Sequence, residues 1–256
     1  TDLEAAKESW GRFDEAGAVA ELEATKAYWE SRCRAAQIEV PLPDAQVMLG
    51  GWLPYQSIAG RLLARCAYYQ QGGAYGYRDQ LQYSLMLLAT EPESTLTQLG
   101  RHAEAMYEDG GVRHWWHPES QIFVPSHHSD TCLWLSFGTL ASLDETGDLA
   151  ILDRSYAYLD RSTEQAASRG TLLDHCLRGI ERALGRRSPR GLPLLGSGDW
   201  NDGLSHAGIE GKGESVWMAM FLFDALTRWQ PYLRRLGLDD LAERFATEAN
   251  SLRSAV

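Results

Sequence analysis

Apolar residues recur along most of this chain at the three-to-four spacing of amphipathic helices, and strand-type alternation never runs beyond a few residues. Residues 12–36 are rich in Ala, Glu and Lys, and Ala20, Leu22, Thr25, Tyr28 and Trp29 predict a helix with one buried face. Pro41 and Pro43 end it. Residues 44–70 read as a second long helix with Leu49, Trp52, Leu53, Ile58, Leu62, Leu63 and Cys66 inward. Its Gly50, Gly51, Pro54 and Gly60 cost helix propensity and predict a kink. After a glycine-rich loop at 71–76, helices are expected over 77–89, 92–105, 129–143, 149–159 and 170–184, with 112–126 as loop or short strands. In the helix at 129–143, Leu133, Trp134, Phe137 and Leu140 face inward. Residues 215–229 are apolar on nearly every side, which predicts a helix buried all round, and 238–252 form a last amphipathic helix. The expected fold class is all-α, with consecutive helices arranged as pairs about an axis. No linker or internal repeat divides the chain, so 1–256 reads as one helical domain, with 1–40 as its N-terminal linker-helix region.

Composition narrows the function. Hydrophobic residues make up 44% of the 256, enough for a substantial core. Thirty-five acidic against 24 basic residues give a formal charge of −11, which argues against a basic surface for nucleic acid or anionic lipid. No apolar run approaches the roughly 20 residues of a membrane span, so neither nucleic acid nor direct membrane contact is expected. Residues 1–10 lack the basic start and apolar core of a signal peptide. Cys33, Cys66, Cys132 and Cys176 form no CxxC pair and read as buried thiols, which places the chain in a reducing, cytoplasmic setting. Nine Trp and eleven Tyr are many for this length. Those beside His, Asp or Gln fit carbohydrate contact.

Three loops hold the reactive side chains: Tyr77-Arg78-Asp79, His114-Trp115-Trp116-His117, and the run from Gly196 through Asp199, Trp200, Asn201 and Asp202 to Gly203. Carboxylates and an amide around an indole suit a ligand with hydroxyls and an apolar face, as a sugar has. The plainer alternative is a polar turn ahead of a helix, with Asp and Asn bonding backbone. His114, His117, His127 and His128 match no familiar zinc spacing and no Cys completes one, so no metal is expected. Asp174-His175 lacks a serine nucleophile on a tight elbow, which sets aside triad hydrolysis. Glycosidic cleavage needs an acid for the leaving oxygen and usually a second carboxylate. Asp199 and Asp202 are too close in sequence to flank a sugar ring from both faces, so one acid with one structural partner fits better. A single acid suffices when the nucleophile arrives ionised, as phosphate does.

The segments GYRDQLQ, HWWHP, SDTCLWL and GLPLLGSGDWNDG…GIEGKGESVW resemble glycoside hydrolase family 94, the inverting glycoside phosphorylases. Within it they look closest to the phosphorylase-like region of cyclic β-1,2-glucan synthases and to 1,2-β-oligoglucan phosphorylases. The resemblance runs roughly from Pro41 to Trp229. It implies a partial (α/α)6 barrel and phosphorolysis of β-glucosidic bonds, expected to be those of β-1,2-gluco-oligosaccharides, to a sugar 1-phosphate. Inorganic phosphate is then the co-substrate, with no cofactor. By position, Asp202 is implied as general acid, and Arg78, Asp79, Trp200, Asn201, Asp199 and Trp116 as substrate-binding residues. Such an acid must be protonated when substrate binds, a state that burial and a nearby carboxylate favour.

Tyr83 stands where the family often carries Asp, and Gly72 and Gly73 where some members place Arg. The phosphate-site residues are expected beyond Val256. The chain therefore reads as a truncated barrel, inactive alone, within a homodimer or a larger synthase chain. Two alternatives are a non-catalytic glucan-binding or length-controlling module, and an inverting hydrolase with Glu210 or Glu214 as the second carboxylate.

Overall fold

The structure, a computed structural model, describes residues 3–11, 14–35, 38–63, 73–117, 120 and 122–256. The helix expected over 64–70, Cys66, and residues 71–72 of the glycine-rich loop lie outside the described residues. Contacts gather into two units, 1–63 and 64–256.

The first unit holds α1 (Leu3–Gly11), α2 (Glu15–Cys33), α3 (Pro43–Val47), a π turn (Met48–Trp52), α4 (Leu53–Gln56) and a second π turn (Ser57–Leu63). Asp14 starts α2 by accepting from the Gly17 N–H at 2.7 Å. The second long helix expected here is broken into alternating α and π turns. Gly50 and Gly51 lie in the first π turn, and Pro54, which has no N–H to donate, sits at the start of α4. Two burial expectations need correction. No described residue of α2 is buried, and Val19 and Leu22 are more than half exposed. Among the described members of the inward set, only Ile58 is buried, while Leu49, Trp52, Leu53 and Leu63 are exposed. A unit this small has too little interior to bury every apolar stripe it carries.

The second unit runs β1 (Tyr75–Gly76), α5 (Tyr77–Ser84), α6 (Pro92–Ala103), β2 (Arg113–Trp116), β3 (Phe123–Pro125) and α7 (Trp134–Thr146). It continues through β4 (Ser155–Leu159), β5 (Ala166–Thr171), α8 (Leu172–Leu184), α9 (Val216–Arg235) and α10 (Asp239–Ala255). The chain is mostly α, as the periodicity predicts. Local chemistry sets the helix starts. Pro92 opens α6, Thr171 and Asp174 form a capping box on α8, and the Ser215 hydroxyl caps α9.

The expected helix at 149–159 is a correction. Leu149–Asp153 is a 3₁₀ turn, and β4 follows, paired antiparallel with β5. Ser155-Tyr156-Ala157-Tyr158-Leu159 is aromatic-rich and alternates, and the partner strand decides what a short run alone leaves open. The all-round burial expected of 215–229 is also corrected. Leu222, Leu226, Trp229 and Leu233 are buried, but Val216, Trp217 and Met220 are exposed. Cys132 and Cys176 are buried thiols, whereas Cys33 is half-buried. Among the described residues no helix is long and apolar enough to cross a membrane.

One apolar cluster takes Leu81 from α5, Leu99 from α6, Leu140 from α7, Ile180 from α8, Leu222 and Trp229 from α9, and Phe245 from α10. The fully buried Trp229 indole donates to the Ser136 hydroxyl at 2.6 Å, so its one polar atom is satisfied. Trp229→Ala is expected to cost about 3–5 kcal/mol by leaving a cavity. Trp10→Ala, at a residue 82% exposed, should change stability by less than about 0.5 kcal/mol. Denaturant unfolding of the two variants measures the contrast.

Candidate functional site

Arg78 is the second residue of α5 and only 6% exposed. Nη1 donates to the Asp199 carbonyl at 2.9 Å and to Asp130 Oδ2 at 3.3 Å, and Nη2 donates to Asp202 Oδ1. One guanidinium thus ties α5 to the segment before α7 and to the glycine-bounded loop. Burial pulls the guanidinium's pKa down, but Asp130 and Asp202 outweigh it and hold it above the ordinary value. Asp130 is fully buried, and its Oδ2 also accepts the Trp134 indole N–H at 2.8 Å. Burial raises its pKa, against the pull of Arg78 and Trp134.

The loop is fixed from both ends. Asp199 is 4% exposed; Oδ1 accepts the Asn201 N–H at 2.8 Å and Oδ2 accepts the Ser215 hydroxyl at 2.6 Å. The Ser215 oxygen in turn accepts the Met218 N–H at 2.9 Å, so the cap of α9 and the loop share one hydroxyl. On the other side, the Ser129 N–H donates to the Gly198 carbonyl at 2.9 Å and the Ser197 N–H to the His127 carbonyl at 3.3 Å. A Cβ at Gly198 would stand 2.9 Å from the His128 ring, and φ there is +150°. A Cβ at Gly208 would lie 2.2 Å from the Gly196 carbonyl oxygen. The glycines of the motif are therefore places where backbone meets backbone or ring.

Above this floor the loop is open. The Asp202 side chain is 58% exposed and Trp200 is 51% exposed, with Asn201 also exposed. A cleft of about 550 Å³ is lined by Asp199, Trp200, Asn201, Glu214, Ser215 and Trp217. Asp79 follows Arg78 on α5 and is half-buried. Trp116 is buried, stacked on Tyr75 with centroids 5.5 Å apart and edge-on to His102 at 5.2 Å. The structure thus brings Arg78, Asp199 and Asp202 together, leaves Trp200 and Asn201 on the open rim, and buries Trp116 among aromatic rings.

Three residues outside the expected set complete the site. Asp130 lies within SDTCLWL, four positions before Trp134, a spacing that lets the indole reach back to the carboxylate. His114 and His128 stack with centroids 4.8 Å apart and planes 10° apart. His114 is the extra residue of a bulge in β2, where Arg113 faces Pro125 and Trp115 faces Val124. His128 Nε2 stands 3.5 Å from Asp202 Oδ1. Burial, then His128 and Arg78, push His114 down to about 4. Burial, then Arg78, lower His128 as well, against the nearby carboxylates. Both imidazoles are held below their ordinary value, so beside Arg78 they add hydrogen-bonding capacity and no further positive charge at neutral pH. That capacity suits sugar hydroxyls.

A pH dependence follows. Unfolding returns the half-buried His114 and the fully buried His102, also held at about 4, to ordinary values near 6.5. Below that the unfolded chain binds protons the folded one refuses. Their stabilisation is therefore full above pH 6.5 and is lost as pH falls toward 4, on the order of 1 kcal/mol per pH unit for each group. His114→Phe is expected to flatten the slope of unfolding free energy between pH 7 and 5; an unchanged slope overturns the attribution.

Residues 28–256 match the Glycosyl hydrolase 94 superfamily, catalytic domain. The chain is 34% identical over 235 residues to Cyclic beta-(1,2)-glucan synthase NdvB of Rhizobium meliloti (strain 1021), covering 87% of this chain and 8% of the synthase. It is 26% identical over 260 residues to 3-O-beta-D-glucopyranosyl-beta-D-glucuronide phosphorylase of Paenibacillus borealis, covering 100% of this chain and 32% of that protein. Solabiose phosphorylase of the same organism is 30% identical over 220 residues, 86% of this chain and 27% of the enzyme. The chain spans no more than about a third of the length of these relatives. With the family match running through both the guanidinium-bearing helix and the acid-bearing loop, this chain belongs to the glycosyl hydrolase 94 superfamily.

Proposed function

We propose that this chain forms part of an inverting glycoside phosphorylase acting on β-linked gluco-oligosaccharides, with Asp202 as general acid. The observation that carries the reading is the pairing of Asp202 with a buried Arg78 beside a cleft rimmed by the exposed Trp200. Trp200 offers an apolar face to a pyranose ring, and Arg78, Asp79 and Asn201 offer donors and acceptors to its hydroxyls. In the reaction, Asp202 gives its proton to the glycosidic oxygen, which leaves with the electrons of its bond to the anomeric carbon. A phosphate oxygen bonds that carbon from the opposite face, giving a sugar 1-phosphate of inverted configuration. Phosphate arrives ionised, so no general base is needed. Because Arg78 is already taken up by Asp130, Asp202 and the Asp199 carbonyl, the described site offers little to a phosphate dianion. We therefore assign the phosphate contacts to residues outside this chain, in a longer cytoplasmic protein, and the helices here to part of an (α/α)6 barrel.

The 34% identity to a cyclic glucan synthase supports a second reading, a glucan-binding or length-controlling module within a synthase, with β-1,2-glucan as ligand. Tyr83, half-buried on α5, is the feature that favours it.

Both readings require oligosaccharide binding, and only the first requires phosphate and Asp202. In that longer protein, Asp202→Asn is expected to lower phosphate-dependent sugar 1-phosphate release by about 10²-fold or more while oligosaccharide binding by calorimetry persists. Near wild-type release from the variant would remove Asp202 as the acid.

A further inference from the structure

The two oxygens of Asp202 are held unequally. Oδ1 accepts from Arg78 Nη2, and His128 Nε2 stands 3.5 Å from that same oxygen. Oδ2 has no hydrogen-bond partner among the described residues and lies on a side chain 58% exposed. The His128 ring has little freedom. It stacks on His114, whose position is set by the β2 bulge, and it lies against Gly198, where even a Cβ would collide with it. Only 18% of its side chain is exposed. The charged and titratable groups around it are Arg78 on α5, His114 on β2, Asp130 ahead of α7, and Asp199 and Asp202 on the loop. A ring fixed in this way can present one nitrogen to one oxygen.

We propose that His128 is a positioning residue for Asp202, gripping Oδ1 together with Arg78 so that Oδ2 is the oxygen that carries and delivers the proton. The proposal rests on the assignment of Asp202 as general acid. It also reconciles an acid with an arginine partner. A protonated carboxyl still accepts hydrogen bonds at its carbonyl oxygen, so Oδ1 can face Arg78 and His128 while the proton stays on Oδ2. On transfer, the proton passes from Oδ2 to the departing glycosidic oxygen. The carboxylate left behind has its new charge held at Oδ1 by both donors. The 3.5 Å separation is just outside hydrogen-bond length, and such contacts tighten when substrate binds.

The grip requires a hydrogen on Nε2, which long-range proton–nitrogen correlation spectra of the 256-residue chain can read directly. The expected result is an Nε2–H tautomer for His128 at pH 7, relaxing toward a mixture in Asp202→Ala. An Nδ1–H tautomer with bare Nε2 in the wild type overturns the proposal. In turnover assays of the longer protein proposed above, His128→Phe keeps the stack on His114 and is expected to lower kcat about tenfold or more with little change in KM. His128→Gln, whose amide can donate to Oδ1, should recover most of the loss. Unchanged kcat in His128→Phe would mean that His128 acts only by packing, and a Gln variant as impaired as Phe would remove donation to Oδ1 as its role; either overturns the proposal. Full activity of Asp202→Asn would instead remove the acid assignment, while the tautomer would still report the grip.

Discussion

A buried guanidinium must find partners for its donors, and Arg78 finds them in the Asp130 carboxylate, the Asp199 carbonyl and the Asp202 carboxylate. A charge out of water is tolerable only when paired and hydrogen-bonded, so these partners are obligatory. That requirement, more than any property of the loop itself, places the exposed acid over α5. Asp130 matters most to the arrangement: it is fully buried, it is anchored by Trp134, and it lies where removing it would leave the guanidinium poorly neutralised. Asp199 makes a different contribution. Both its oxygens are spent within the chain, on Asn201 and Ser215, and its carbonyl rather than its carboxylate meets Arg78.

The electrostatics and the shape of the site agree. Two stacked imidazoles kept neutral by burial and by Arg78 add hydrogen-bonding capacity without adding charge. Arg78 is shared between the Asp130 and Asp202 carboxylates, which leaves the remaining donors and acceptors to a neutral ligand with many hydroxyls. Exposed indoles at the cleft add an apolar face at the one place where the floor is polar. Another concavity of about 190 Å³, lined by Met220, Phe223, Leu252 and Arg253 among others, is mostly apolar and holds no carboxylate side chain.

Much of this was legible in the residues. The long helices at α8, α9 and α10 follow from spacing and caps: Thr171 with Asp174 before one, Ser215 before another. Arg78, Asp199 and Asp202 were legible as loop residues of the right chemistry, and the structure brings them together. What escaped depends on partners distant in sequence. The β4 segment is a strand because β5 pairs with it, and no local count reveals that. His114 and His128 match no metal spacing and carry no other local signal; a bulge and a glycine put their rings face to face. Asp130 stood in a motif that signalled kinship without signalling a role. Apolar stripes stay exposed where they outnumber the surfaces available to cover them, as in α2 and at Val216, Trp217 and Met220, and spacing alone does not show that.

The ties that make the site join residues 52, 121 and 124 positions apart. Contacts of such long sequence separation are costly to close and form only after the helices that carry them have packed. The site is thus expected to be among the last parts of this unit to assemble during folding and among the first to open, since the Asp202 end of the loop has few buried contacts of its own. Hydrogen exchange along the chain would then rank the acid-bearing loop well below α7 and α9. A sugar bound across the loop and α5 would act as a further cross-link between late-forming parts, so ligand binding and completion of the fold become one event.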